Sequence, residues 1–324
     1  MSGIAKTRHC QTNRLTTLLQ DARAATISIA SAPVSWGIME SVEPPSEYPY
    51  SRVLDEMAKA GYAGTELGPY GFLPSGAAKL REELDKRSLT LCSAFVAILL
   101  GNKAARSEGL AQVLTTARLV SAVGCRLLIL SDAISAERCA VAGRRDEANR
   151  LSWTEAEWKD VFSAVSEVVY RCREFGVQLA FHHHVGTHVE TPEEVDRLLA
   201  SFSPKDLGLC LDTGHCVYGG GAPARLLESY ADRIRCVHFK DIDGADLEGA
   251  RRQRLDFYEA VRQGVFAPLG QGVVDFAKIL ALLRGCSFSG WIVVEQDVLA
   301  GGARASNPLE NAVAGRKFLK TLGY

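Results

Sequence analysis

From Ile27 onward the chain alternates between short runs of apolar and β-branched residues and longer stretches whose apolar positions recur every three to four residues. The first pattern reads as buried strands and the second as helices laid over them. Strand-like runs fall at 27–31 (ISIAS), 63–67 (AGTEL), 89–95 (LTLCSAF), 127–131 (RLLIL), 177–182 (VQLAFH), 207–212 (LGLCLD), 235–240 (RCVHFK) and 291–295 (WIVVE). Helix-like stretches follow at 51–60, 75–87, 104–123, 153–175, 191–201, 222–231, 275–284 and 308–321. Eight strands, each followed by a helix, predict an α/β fold: a single closed (β/α)8 TIM barrel of parallel strands.

Local punctuation agrees with this division. Thr191-Pro192-Glu193-Glu194 supplies a capping hydroxyl, a proline at the first helical position and acids at the positive end of the helix dipole. Gly61 and Gly176 stand where helices must end in a left-handed residue. One connection departs from the rhythm. The segment 241–274 is far longer than an ordinary strand-to-helix loop and contains the charged run DLEGARRQRLDFYEAVRQG. On a barrel it lies over the C-terminal face, where it is expected to act as a lid tied down by Arg251, Arg252 and Arg254.

Composition narrows the class. At 324 residues, 47% hydrophobic and 23% charged, the chain has the material for a large core and is neither disordered nor coiled coil. With 37 Lys and Arg against 38 Asp and Glu, no global positive field exists to recruit a phosphate backbone, so nucleic acid is not an expected partner. The nine cysteines are an odd number without a C-x-x-C pair and read as reduced thiols of a cytoplasmic protein. No run is long enough to span a membrane and no secretory signal is evident. The basic start, with Lys6, Arg8, Arg14 and Arg23 against Asp21, reads as an N-terminal extension over 1–25 ahead of a barrel over 26–324, rather than as an organellar targeting segment.

Six of the seven histidines fall between 182 and 238, several at or just beyond the ends of strand-like runs. Side chains alternate along a strand, so Asp212 shares a face with Cys210, His238 with Cys236, and Glu295 with Val293. If those faces point inward, Asp212, His238 and Glu295 meet at the barrel mouth, and His182 joins them from the fifth run. A lone strand-end carboxylate is commonly a cap or an ion-pair partner, and a triple histidine can be a solvated turn. Four such residues ending four strands together favour a site for one divalent ion, with manganese or cobalt as the leading choices and zinc, iron or magnesium as alternatives. His184 has the same parity as His182 and can take its place. Gly214 is expected to turn the chain sharply and bring His215 back toward the site, where it would bind a substrate hydroxyl or move a proton. Lys240 reads either as a ligand for a substrate oxygen or, with Asp241, as a salt-bridged strand end. Trp36 and Glu40 are expected to wall the pocket. The triple glycine 219–221 lacks the spacing of a phosphate loop.

The segments GYAGTELGPYG, LAFHHHVGTHVETPEEV, LCLDTGHCVYGG, VHFKDI, PLGQGVVDF and WIVVEQD, in this order, resemble the xylose-isomerase-like TIM-barrel superfamily of sugar isomerases and epimerases. Within it, the HHH-x-GT segment and the stretch RLDFYEAVRQGVFAPLGQG are most similar to the inosose dehydratase family, which removes water from 2-keto-myo-inositol in inositol catabolism. The resemblance runs from Ile27 to the C-terminus. It implies Asp212, His238 and Glu295 as metal ligands and places Glu66 beside substrate. Where epimerases of the superfamily carry a glutamate that both ligates and acts as base, this chain has His182, which removes a negative charge from the ion and takes away a two-carboxylate proton relay.

The expectation is therefore a metal-dependent hydro-lyase acting on a small keto-polyol. His182, His184, His215, Lys240 and Glu295 are the catalytic candidates, and Trp36, Glu66, His183, Arg251 and Arg254 the substrate-binding ones. His182, Asp212, His238 and Glu295 are the expected metal ligands. An isomerase or epimerase shares the first half of the chemistry and is the principal alternative. A DNA-repair endonuclease would need several metals and a basic surface, and a non-catalytic sugar-binding barrel would lack an acid–base pair. Self-association into a homo-oligomer is left open.

Overall fold

A computed structural model of the protein describes residues 26–39, 47–305 and 307–324, so the extension expected over 1–25 and the wall residue Glu40 lie outside the described residues. Each strand-like run forms a strand: β1 (Ile27–Ser31), β2 (Gly64–Glu66), β3 (Thr90–Ile98), β4 (Leu127–Asp132), β5 (Gln178–His182), β6 (Gly208–Asp212), β7 (Ile234–Ile242) and, last in the barrel, β9 (Gly290–Glu295). The expected helices follow them as α1 (Tyr50–Ala60), α2 (Ala77–Asp85), α3 (Arg106–Ala122), α6 (Glu155–Arg173), α7 (Pro192–Ala200), α9 (Pro223–Tyr230), α12 (Phe276–Gly285) and α13 (Pro308–Thr321). Neighbouring strands pair in parallel from β1 to β7, and β9 closes the ring by pairing with both β7 and β1. Gly61 and Gly176 adopt the left-handed backbone (φ 90° and 65°), and Thr191 and Glu194 cap α7 reciprocally.

The barrel interior shows why these sequences close so tightly. Ala30, Cys92, Ile129, Ala180, Cys210, Cys236 and Val293 form one buried cluster, mostly small side chains, to which every barrel strand but β2 contributes. Their parity sets the face of what comes two residues later, so Asp212, His238 and Glu295 point the same way at the mouth. The larger side chains, such as Met57, Leu80, Trp158 and Phe276, fill the layer between strands and helices. The eight described cysteines are free thiols, and all but Cys286 are buried. Among the described residues no helix is long and apolar enough to cross a membrane.

Three insertions stand on the C-terminal side. Residues 133–152 fold into α4 (Ala136–Ala140) and α5 (Arg145–Arg150), and α8 (Thr213–Tyr218) follows β6 directly. These helices have five or six residues, too short to show a helical period in the sequence. The segment 241–274 contains α10 (Gly244–Gln253), α11 (Phe257–Gln263) and the two-residue β8 (Phe266–Ala267), which pairs antiparallel with β7. It has its own apolar core, in which Leu247, Phe257, Val261 and Phe266 pack with Val185 and Tyr218. It is a folded cap rather than a loose flap, and Arg254 binds Glu147 while Arg304 binds Asp243 and Asp246.

One buried ion pair joins the first insertion to the barrel. Arg138 of α4 is fully buried and donates to both carboxylate oxygens of Glu194, at 2.7 and 2.9 Å. The same carboxylate accepts the backbone N–H groups of Glu190 and Thr191 at 3.0 Å. Removing Glu194 leaves the buried guanidinium with only the Ala148 carbonyl and the more distant Glu190, and undoes the N-terminal cap of α7. Glu194→Ala should cost about 3–5 kcal/mol in urea unfolding, whereas Glu193→Ala, which breaks the exposed pair with Arg145, should cost under about 1 kcal/mol. Equal losses in the two variants would show that the buried pair has no special weight.

Candidate metal centre and active site

Asp212 ends β6 in register with His238 of β7, and neither is accessible to solvent beyond a trace. Asp212 Oδ1 accepts the His215 N–H at 2.7 Å and so caps α8, which leaves Oδ2 turned to the mouth. There it meets His182 Nε2 at 3.4 Å, Lys240 Nζ at 3.5 Å and His238 Nδ1 at 3.8 Å. On the far side of the ring, Glu66 Oε1 lies 3.1 Å from His238 Nε2 and accepts Ser93 Oγ at 2.6 Å. A proton on Nε2, donated to Glu66, leaves Nδ1 as the lone pair facing Asp212 and Glu295 Oε2, the latter at 3.1 Å.

This donor set fits a first-row divalent ion. His182, Asp212 and His238 each offer a ligand atom within 4.8 Å of the others, and so do Glu66, His238 and Glu295. The buried Nδ1 of His238, the atom turned to Asp212 and Glu295, has no hydrogen-bond partner, and a cation at that point would satisfy it. Burial holds His182, His184 and His215 below the ordinary imidazole range and pushes His183 down to about 4. Burial acts upward on Asp212, but Lys240 and His215 outweigh it and hold that carboxyl well below its usual value. His238 runs the other way: burial lowers it, yet the Cys210 sulfur, Glu295 and Glu66 more than reverse that, so a proton there competes with an ion. Between the two strand-five candidates, His182 is the one beside Asp212 and His238. His184 sits over His215, with ring centroids 3.8 Å apart, and its Nδ1 lies 2.6 Å from the Val185 carbonyl oxygen.

Beside this centre lies Lys240, whose ammonium is 2.6 Å from Asp297 Oδ1, 3.0 Å from His215 Nε2 and 3.2 Å from Glu295 Oε2. Thr213 Oγ1 holds the Lys240 backbone from both sides, at 2.8 Å from its oxygen and 3.0 Å from its nitrogen. Gly214 matters here for a reason other than the sharp turn expected. A Cβ on Gly214 would stand 2.8 Å from Lys240 Cγ and 2.9 Å from its Cβ, so the glycine is needed for close approach of the two strand ends. Asp297, beside Lys240 and lining the same cavity, is a residue of this cluster that the motifs did not single out. It follows Glu295 by two positions, so alternation alone would have put it on the same side.

A cavity of about 220 Å³ opens above these groups. Glu66, His182, His184, His238, Lys240 and Glu295 line it, joined by Asp132 and Asp297, and Tyr258 of the cap closes one side. The apolar part of its lining comes from Val34, Ile38, Met39, Phe95 and Ile134. Four expected substrate-binding residues lie elsewhere. His183 stacks behind His182 and accepts the Asp212 N–H at 3.4 Å. Trp36 is buried and donates its Nε1–H to Glu56 at 2.6 Å. Arg251 binds the carbonyls of Gly143 and Tyr218, and Arg254 pairs with Glu147. Both arginines fasten the cap to its neighbours: α10 packs Leu247 and Ala250 into the cap's own core and leaves Arg251 for these carbonyls, while Arg254 follows the helix as its left-handed C-cap. Asp241 is likewise structural, its carboxylate accepting backbone N–H groups of Gly270, Gly272 and Val274.

The fold is a closed parallel TIM barrel with a buried histidine–carboxylate cluster at its C-terminal mouth, and the chain belongs to the xylose isomerase-like TIM barrel family, whose pattern matches residues 54–322. It is 35% identical over 269 residues to the inosose dehydratase of Geobacillus kaustophilus (strain HTA426), covering 83% of this chain and 87% of that one. It is 38% identical over 271 residues to the rhizopine catabolism protein MocC of Rhizobium meliloti, covering 84% and 82%. Among solved structures, the IOLI protein with a binding zinc atom superposes with a TM-score of 0.65 at 16% identity, over 91% of this chain and 96% of that one. At that identity the likeness speaks for the fold alone.

The depressed histidines make stability depend on pH in a defined direction. An unfolded chain takes up protons near pH 6.5, whereas folded His183 resists until about 4, so the contribution is full above 6.5 and is lost as pH falls toward 4. For His183 alone the loss at pH 5 is roughly 2 kcal/mol. Urea unfolding of the chelator-treated protein at pH 7 and pH 5 should show the lower midpoint at pH 5, with His182, His184 and His215 adding to His183 and outweighing His238 and Glu190, whose raised values favour the folded state as pH falls. An unchanged midpoint would contradict neutral, buried histidines.

Proposed function

We propose that the protein is a metal-dependent hydro-lyase that removes water from a keto-polyol, with 2-keto-myo-inositol as substrate, and that manganese or cobalt is held by His182, Asp212, His238 and Glu295. The observation that carries this reading is the imidazole of His182 facing Asp212 where superfamily epimerases place a second carboxylate. The similarity to inosose dehydratases over most of the chain supports it. When bound, the ion supplies Lewis acidity toward the ketone oxygen and the neighbouring hydroxyl.

The remaining chemistry falls to side chains that line the cavity. His184 is neutral, and a proton on Nδ1 bound to the Val185 oxygen leaves its Nε2 lone pair free to take the proton from the carbon next to the ketone. The electron pair of that C–H bond forms the new carbon–carbon double bond as the β-hydroxyl departs. The imidazolium hands its proton to that hydroxyl, which leaves as water, while Lys240 meets the charge developing on the oxygen. The product is the enol of a 1,2-dione. The apolar lining at Val34, Ile38 and Phe95 suits the C–H face of a ring whose hydroxyls point to its rim, and helps to keep bulk water from the enol.

Incubation with 2-keto-myo-inositol and Mn²⁺ or Co²⁺ should yield the conjugated enol of the dione, and neither Asp212→Ala nor Glu295→Ala should retain stoichiometric metal in elemental analysis. His182→Glu should keep the ion, because imidazole nitrogen and carboxylate oxygen both ligate at about 2.0–2.2 Å. The added charge should nevertheless slow dehydration by about tenfold or more, equivalent to about 1.4 kcal/mol of barrier. Wild-type protein that exchanges the carbon-bound proton with solvent deuterium but releases no dione would make it an epimerase or isomerase instead.

A further inference from the structure

We propose that Lys240 is a built-in second cation: beside the Asp212 centre the fold makes a further three-ligand metal site from His184, His215 and Asp297, and fills it with the lysine ammonium. The proposal rests on the one-ion reading of the Asp212 centre above. His184, His215 and Asp297 each present a ligand atom within 4.8 Å of the other two, a geometry sufficient to hold an ion. Two of the three are almost wholly buried, and His184 and Asp297 also line the cavity from which an ion would enter.

Asp297 is the telling residue. It is 2% exposed, and apart from the ammonium and imidazole beside it no backbone N–H or hydroxyl donates to either carboxylate oxygen. Its close neighbours are the Lys240 ammonium at 2.6 Å and His215 Nε2 at 3.4 Å. A buried carboxylate without neutral hydrogen-bond donors is tolerated only beside a cation. Lys240 Nζ lies within 3.5 Å of Asp212 Oδ2 and Glu295 Oε2 as well, so these two carboxylates stand between the first site and the ammonium as they would between two metal ions.

Charge and packing both favour a tethered cation. Glu66, Asp212, Glu295 and Asp297 bring four carboxylates to one volume, and a divalent ion leaves half of that charge unmatched. The lysine stem is fixed by the bare Cα of Gly214, by Thr213 on its backbone, and by the Phe266 ring, whose centroid is 5.3 Å from Nζ. An ammonium placed in this way offers charge and hydrogen-bond donors to a departing hydroxyl. It has no coordination position for water, cannot be lost to chelators, and limits the metal requirement to one ion. Asp297 and His215 are then positioning residues for Lys240 rather than ligands of the resident metal.

The test counts ions and needs no substrate. Full-length protein stripped by chelator and dialysed against Co²⁺ is analysed for cobalt per chain and by its visible absorption spectrum. Wild type should hold one ion and Lys240→Ala two, with a second set of cobalt bands. Lys240→Ala combined with Asp297→Ala should return to one. Lys240→Ser is a parallel variant should the alanine protein be insoluble. Two ions in wild type overturn the proposal whatever the variants do. One ion in both wild type and Lys240→Ala also overturns it while leaving the one-ion reading intact. A wild type that binds none removes both.

Discussion

A carboxylate with no access to water must be matched by positive charge or by hydrogen-bond donors, and Asp212 is that carboxylate here. One of its oxygens is used inside the chain, starting α8 through the His215 N–H, and the other is turned on His182, His238 and Lys240. The geometry of the mouth follows from this division. The cap on α8 brings His215 to Lys240, and the free oxygen sets where a cation must sit. Both depend on the strand register that places Asp212 beside His238.

The barrel below is built to make such a register rigid. Alanine, cysteine and valine at the inward positions keep the centre narrow, and the parity of each strand carries this choice upward to the polar residue at its end. Small interior residues and charged mouth residues are thus one pattern read two positions apart. Close backbone approaches reinforce it. Gly64 would collide with the Thr90 carbonyl and Trp291 if it carried a Cβ, and Gly214 would collide with Lys240. In both places the backbone lies closer to its neighbour than a side chain permits.

Around the mouth, polar residues act in pairs at two depths. Glu66 and Ser93 orient His238, whereas Asp297 and His215 orient Lys240. The groups that face the cavity are therefore held by groups behind them, which suits a site whose chemistry requires fixed charges and few waters. The cap adds the remaining wall. Its aromatic residues Phe257 and Phe266 pack on His215, so the folding of the long insertion and the placing of that imidazole depend on one another.

Much of this was legible in the sequence because it obeys local periodicity. Strand and helix runs, the caps at Thr191, Gly61 and Gly176, and the shared face of Asp212, His238 and Glu295 all follow from spacing along the chain. Asp297 was legible by the same alternation. What spacing could not decide was which groups meet across the barrel. His182 and His184 have identical parity, and only the bend after β5 sends one to Asp212 and the other over His215. Glu66 meets His238 from 172 positions away. Arg251 and Arg254 have the charge to bind a polyol, but α10 and the residue that ends it turn them to Gly143 and to Glu147 of α5. Periodicity encodes which side of an element is buried, whereas the identity of the partner on that side depends on strand register and loop path, which are settled only when the barrel closes.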